Sequence, residues 1–284
     1  MIPRINHSRS QLLSFLNQLE DGCYTFFVPT DVYSELFDAL HPEISRQARN
    51  GWRTSKNGKM KYLWFAELSE TDVAVIEEWR DRFKKYVLLG KNDHLKEHFT
   101  DELDFCLALD FNKEDPSSER RTLFGEAEYQ AKYHQSSQHL SVLGHALMDA
   151  IKDLPIPAAH QASYCLTCIP APPGVATIPR RLAAGMAKPE RLNRDFVDAQ
   201  LTCPKPKLKN STVADKIPMW RDLFARNCVT LTNSVAGRLV VIVDDLYQSG
   251  ATMWTYAEFL KSQGATHVIG LPCVKSLRDS DNSP

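Results

Sequence analysis

The spacing of apolar residues changes character along the chain. Behind Ser10, the residues Leu12, Leu13, Leu16 and Leu19 recur on one helical face, which predicts a helix to about Glu20. "CYTFFV" is a short apolar run and predicts a strand, and "TDVYSELFDALH" opens with capping residues and predicts a helix. "SKNGKMKYLWFAEL" carries Asn57-Gly58, a hairpin signal between strand-forming residues. Ser69, with Asp72 three residues on, starts a helical pattern that runs to about Tyr86.

From about Leu103 strand and helix patterns alternate. "LDFCLALDF" predicts a strand, and "RTLFGEAEYQAKY" and "SSQHLSVLGHALMDAIKDL" predict helices. "SYCLTCI" predicts a buried strand ending at Pro170, and "IPRRLAAGMAK" a helix with Pro179 near its start. A Lys/Pro/Asn-rich connection follows, then a short helix "PMWRDLFA" and a strand "NCVTL". "GRLVVIV" is a strand, the next helix runs to about Gln263 and stops at Gly264, and "THVIGLPCV" is the last strand. Such alternation predicts an α/β fold with a parallel sheet and right-handed crossovers. The expected division is an α+β region at 1–100 and an α/β domain at 101–284.

Composition narrows the class. Of 284 residues, 43% are hydrophobic and 24% charged, with a formal net charge of −1, so no global field favours nucleic acid or an anionic membrane. No apolar run approaches the roughly 18–20 residues that span a bilayer, and the polar N-terminus does not look like a signal peptide. A cytoplasmic protein without a membrane partner is expected. The seven cysteines are scattered, which fits reduced thiols better than a disulfide framework. Cys165 and Cys168 have CxxC spacing but lie in a strand, where the two point to opposite faces.

The chemistry concentrates where the strand Val240–Val243 runs into Asp244 and Asp245. In an open parallel sheet, ligands sit at the carboxyl ends of strands. Two adjacent carboxylates are costly there unless they are solvated, paired, or face hydroxyls or a metal. Ser249-Gly250-Ala251-Thr252 then opens a helix, where free backbone N–H groups and the helix dipole favour an anion. Gly250 allows close backbone approach, and Ser249 and Thr252 bring hydroxyls. The pattern describes a grip for a polyol or metal beside a cup for phosphate. A P-loop NTPase is excluded because no glycine begins GxxxxGK[ST]. A receiver domain needs on the order of 100 residues after its acids, and this chain ends at Pro284.

The run "VVIVDDLYQSGAT" resembles the PRPP-binding motif of type I phosphoribosyltransferases, most closely the competence-associated ComF-like branch. The resemblance covers roughly Leu103 to Ser276. It includes "IPAPP" after an earlier strand and a helix ending in Lys132-Tyr133. The N-terminal zinc ribbon of many ComF-like proteins has no counterpart, and Gln248 and Ser249 replace two hydroxyl residues of the usual motif.

The resemblance implies a parallel-sheet phosphoribosyltransferase core with helices on both faces, which would transfer a 5-phosphoribosyl group to a nitrogenous base. Asp244 and Asp245 would be the catalytic pair and hold the ribose hydroxyls, with Mg²⁺ bound mainly through the substrate and Asp245 the candidate to help deprotonate the base. Ser249, Gly250, Ala251 and Thr252 would hold the 5′-phosphate. Ala171, Pro172, Pro173 and Gly174 would face the pyrophosphate, through the N–H groups of Gly174 and Val175. A mobile loop from Thr202 to Lys216 would bring Lys209 and Lys216 over the diphosphate. Tyr129, Tyr133 and Tyr247 are candidates to stack on the acceptor base. A non-catalytic sensor of PRPP or a nucleotide is the alternative. The basic excess between Pro170 and Arg221 raises a third, nucleic-acid reading. The base and any homo-oligomer stay open.

Overall fold

The computed structural model describes residues 14–91, 93–117, 119–204 and 212–277. The chain divides into two compact units, Met1–Gly90 and Lys91–Pro284.

The first unit contains strands β1 (Phe15–Gln18), β2 (Tyr24–Val28), β3 (Arg53–Thr54), β4 (Lys61–Phe65) and β5 (Val87–Leu88), and helices α1 (Asp31–Leu40), α2 (Pro42–Ser45) and α3 (Glu70–Phe83). β1-β2-β4-β3 form an antiparallel sheet. Its period-2 pattern buries Phe26, Val28, Leu63 and Phe65. These join Tyr33 and Phe37 of α1 and Ile76, Trp79 and Phe83 of α3 in one core. Trp79 meets Phe26 and Phe37 edge-on at 5.7 and 5.3 Å, the geometry aromatic quadrupoles favour. Ser69 caps α3 by accepting from the Asp72 N–H.

The helix expected from Ser10 to Glu20 is corrected: Ser10, Leu12 and Leu13 lie outside the described residues, and Phe15–Gln18 is a strand paired with Tyr24–Phe27. The turn between them explains this. Gly22 adopts φ 84°, and the Leu19 N–H donates to the Cys23 carbonyl, so an Asp-Gly hairpin turn outweighs the leucine spacing.

The second unit begins with α4 (Asp93–Lys96). It continues through β6 (Phe105–Ala108), β7 (Asp110–Phe111), α5 (Leu123–Tyr133) and α6 (Ser137–Asp153). Next come β8 (Cys165–Cys168), α7 (Ile178–Ala187), β9 (Phe196–Val197), β10 (Ala199–Leu201) and α8 (Val213–Ala225). β11 (Val229–Leu231), β12 (Leu239–Tyr247), α9 (Ala251–Ser262) and β13 (His267–Lys275) complete it. A parallel sheet runs β6-β13-β12-β8-β9, with β7 also on β13. Val240 to Val243 are fully buried at its centre. The β8–α7–β9 and β12–α9–β13 crossovers step in opposite directions along the sheet. Right-handedness therefore puts α7 and α9 on opposite faces. α5 packs with α6 and α6 with α7, and α8 packs with α9. The expected α/β fold with helices on both faces is what the chain adopts.

A small antiparallel pair, β10-β11, stands apart from this sheet. It brings Cys203 beside Cys228, and the two form a disulfide. The expectation of reduced thiols is corrected at that pair, because strand pairing joins cysteines that sequence distance keeps apart. Cys23, Cys106, Cys165, Cys168 and Cys273 are free. Burial pushes the Cys165 and Cys168 thiols up to about 11 and about 12. Among the described residues, no helix is long and apolar enough to cross a membrane.

Gly125 in the first turn of α5 sits directly on the Asn112 backbone, where a Cβ would collide with the carbonyl. Gly125→Ala is expected to cost about 2–3 kcal/mol by overpacking, read as a lower urea midpoint. An unchanged midpoint would show that α5 does not depend on this approach.

Candidate functional site

Strand order places the site. Among β8, β9, β12 and β13, the order across the sheet is second, first, third, fourth. The chain leaves β8 toward one edge and β12 toward the other, so their carboxyl-end loops diverge and a crevice opens between them. One lip is Ala171–Gly174, after β8. The other is Asp244, Asp245 and the Ser249–Thr252 turn, at the end of β12.

The acidic pair is only partly exposed. The Asp244 carboxylate accepts the Asp245 N–H at 2.9 Å. Burial, and then the neighbouring Asp245 charge, push the Asp244 pKa well above the usual carboxylate range. Asp245 is neutralised by a residue from α5: Lys132 Nζ lies 2.9 Å from Asp245 Oδ2 and 3.1 Å from Glu128 Oε1. Glu128 is itself buried, and burial raises its pKa against the pull of Lys132. Burial lowers the Lys132 pKa, but Asp245 and Glu128 more than offset this, so its pKa is raised and it stays an ammonium. One positive charge thus serves three carboxyl groups.

Gly250 is the N-cap of α9 and adopts φ 88°. A Cβ there would strike the Tyr247 hydroxyl, which packs beneath it and accepts from Trp254 Nε1 at 3.2 Å. Only glycine combines this conformation with this approach. Ser249 is buried, and its hydroxyl accepts from the Ala251 N–H at 3.5 Å. The Thr252 hydroxyl accepts from Trp220 Nε1 at 3.2 Å, which leaves its own hydrogen to donate. Lys275 Nζ donates to the Gln248 and Ser276 carbonyls, both at 2.7 Å, and fixes the back of the turn.

The opposite lip is held by Arg180. Its guanidinium pairs with Asp198 at 2.7 Å and donates to the carbonyls of Pro172 at 2.8 Å, Ala171 at 2.9 Å and Val175. The Val175 N–H is taken by the Pro172 carbonyl, which corrects its expected place at phosphate. The Ala171 N–H goes to the Ala199 carbonyl, and Pro172 and Pro173 have none. The tip therefore presents the amide hydrogen of Gly174, at φ 75°.

The lysine loop is corrected in part. Lys209 lies outside the described residues. Lys216 is buried in α8, which starts at Val213 under a Thr212–Asp215 capping box. It shares a helical face with Trp220, four residues on, the residue that touches Thr252. Of the tyrosines, Tyr247 is buried under Gly250, while the rings of Tyr129 and Tyr133 lie 4.9 Å apart on α5, tilted by 42° to each other. Arg180, Arg194 and Arg221 of the basic stretch are engaged internally. Arg194 donates to the carbonyls of Leu192, Asn193 and Gln161, and Arg221 pairs with Glu258.

Sequence reasoning missed the roles of Glu128, Lys132, Arg180 and Lys275. Glu128 and Lys132 carry a legible signal, an i,i+4 ion pair on a helix. What they face depends on the fold.

No family model and no curated protein matches the chain. Among solved structures it is similar to hypoxanthine phosphoribosyltransferases. One from Staphylococcus aureus has 16% identity and TM-score 0.26, over 54% of this chain and 64% of that chain. This chain thus spans less than two thirds of that relative. A second crystal form gives 17% and 0.27, over 56% and 70%. The Trypanosoma cruzi enzyme gives 9% and 0.27, over 57% and 70%. Similarity at this level carries no argument about function.

A carboxyl group whose pKa rises on folding costs stability once pH exceeds its ordinary value, and the cost grows until pH passes the raised value. Asp244→Asn is therefore expected to stabilise the protein by about 1 kcal/mol at pH 8 and to bring no gain near pH 4. Denaturant unfolding at both pH values checks this. An equal effect at the two would contradict it.

Proposed function

We propose that this crevice binds PRPP and that the chain transfers its 5-phosphoribosyl group to a nitrogenous base, as a ComF-like member of the type I phosphoribosyltransferases. The observation that carries this is the joint placement, at one sheet end, of two carboxylates and the left-handed Gly250 that opens α9. Carboxylates suit vicinal hydroxyls, and an open helix N-terminus suits a phosphate.

In this reading the N–H groups of Gly250 and Thr252 and the Thr252 hydroxyl hold the 5′-phosphate. Asp244 and Asp245 accept from the ribose hydroxyls. The Gly174 N–H meets the diphosphate from the other lip. Displacement breaks the C1′–oxygen bond to pyrophosphate, forms the C1′–nitrogen bond, and frees one proton from the base. Lys132 holds Asp245, so Asp244, whose raised pKa suits a proton acceptor, is the carboxylate assigned to receive that proton. Tyr133, exposed beside Lys132, is the aromatic best placed on α5 to meet a base.

Magnesium fits this site only as an ion carried by the ligand. Lys132 occupies one oxygen of Asp245, and among the described residues no cluster of three or more His, Cys, Asp or Glu side chains is disposed to hold a metal. Mg²⁺ usually keeps water and phosphate ligands, so Asp244 and Asp245 are a sufficient protein contribution. When bound, the ion supplies Lewis-acid stabilisation of charge on the leaving pyrophosphate.

The Lys132–Asp245 pair also supports a second reading, a PRPP or nucleotide sensor without turnover, because a carboxylate already paired is better suited to holding than to proton transfer. Pyrophosphate release across purine and pyrimidine bases separates the two, since tight PRPP binding with no turnover for any base leaves the sensor.

The double variant Asp244→Asn with Asp245→Asn is expected to weaken PRPP binding by about 100-fold or more, as two charge-assisted hydrogen-bond acceptors are lost. Isothermal titration beside circular dichroism tests this, and a folded variant with unchanged affinity removes the site assignment. Lys132→Gln withdraws the positive charge that favours ionised carboxylates. It is expected to move the pH profile of PRPP affinity upward, and an unmoved profile would count against an ionised pair in binding.

A further inference from the structure

The first unit carries a surface that the crevice does not explain. Cross-strand partners point to the same face of a sheet. The pairs Phe15–Phe27, Phe27–Tyr62 and Tyr62–Arg53 therefore form one row across all four strands, on the face away from the buried Phe26 and Leu63. Phe15 stacks on Phe27 at 4.6 Å, and Phe27 lies 5.5 Å from Tyr62. Phe15 is 43% exposed, and Phe27, Tyr62 and Trp64 are half-buried. In the next row, Thr25 pairs with Trp64, and Arg49 lies over the Trp64 ring at 5.9 Å.

The segment that carries β3 and β4 has charge of one sign. Between Arg46 and Ala66 the chain carries Arg46, Arg49, Arg53, Lys56, Lys59 and Lys61 and no acidic residue. All but Lys61 are exposed, and Lys61 pairs with Asp31. Arg53 ends the aromatic row, and Lys56 and Lys59 stand on the hairpin between β3 and β4. The acids Glu20 and Asp21 lie in the β1–β2 turn, at the other end of the strands.

We infer that this face of the first unit binds single-stranded nucleic acid, with Phe15, Phe27, Tyr62 and Trp64 offering stacking surfaces for bases and Arg49, Arg53, Lys56 and Lys59 meeting the phosphates. Aromatic rows on an open sheet suit unpaired bases, each of which has a π-face to stack. Flanking cations supply the salt-dependent backbone term. A duplex hides its base faces and satisfies only the second requirement.

Fluorescence anisotropy of labelled 15-nucleotide DNA and RNA strands against the full chain tests this, with the same DNA as a duplex. The single strands are expected to bind more tightly than the duplex, to lose affinity as salt rises, and to quench tryptophan fluorescence in a way that Trp64→Phe removes. Phe15→Ala is expected to weaken binding by about tenfold. Arg53→Gln with Lys56→Gln changes exposed positions only, so it tests the face even if an aromatic variant fails to fold, and it should flatten the salt dependence. Four outcomes overturn the inference: no binding to any strand at low salt, equal affinity for the duplex, affinity unchanged by both Phe15→Ala and the double variant, or binding only to anionic lipid vesicles.

Discussion

The acidic pair at the sheet's carboxyl end depends on one ammonium group. A buried strand that ends in two carboxylates is electrostatically unstable by itself, and Glu128 adds a third acid nearby. Lys132 lies between them, with its charge fixed by the groups it neutralises. The cost of the acids is thus met from α5, an element remote in sequence, while the strand and the following turn keep the geometry a ligand needs. Burial and then Asp244 push the Cys106 thiol up, and burial and then Asp245 and Asp244 push up that of Cys273, so the negative field reaches into the sheet.

Much of this was legible in the sequence because it is local. An apolar run followed by two acids and a small-residue turn specifies a strand, its end and a helix start within one window, and β12 and α9 follow it. Ser69 with Asp72 marked a cap that α3 uses. The rest depended on long-range partners. Nothing near Asp245 announces Lys132, and nothing near Cys203 announces Cys228, because each pairing is made by packing or strand alignment. Lys216 is a different case. Its lysine-rich surroundings suggested a loop, although Thr212-Val-Ala-Asp215 already carried the capping-box pattern that begins α8. The leucines before Glu20 were the reverse error, a helical spacing overruled by turn chemistry at Gly22.

The two units show different uses of apolar surface. In the second, the central strands are buried on both sides, and chemistry is confined to their ends. In the first, the sheet has one buried face, and the opposite face keeps aromatic side chains in register beside a run of cations. A face of that kind exposes apolar area that a purely structural module has reason to avoid.

Arg180 ties the proline-rich lip to strand β10, to its own helix and to Asp198. Inheritance at these positions is correspondingly constrained. Loss of Arg180 strands a half-buried carboxylate and releases several carbonyls at once, and loss of Asp198 strands the guanidinium. Neither change has an easy single-step replacement, since lysine lacks the planar fork that reaches several acceptors. The two positions are expected to vary together in descendants of this sequence, or not at all.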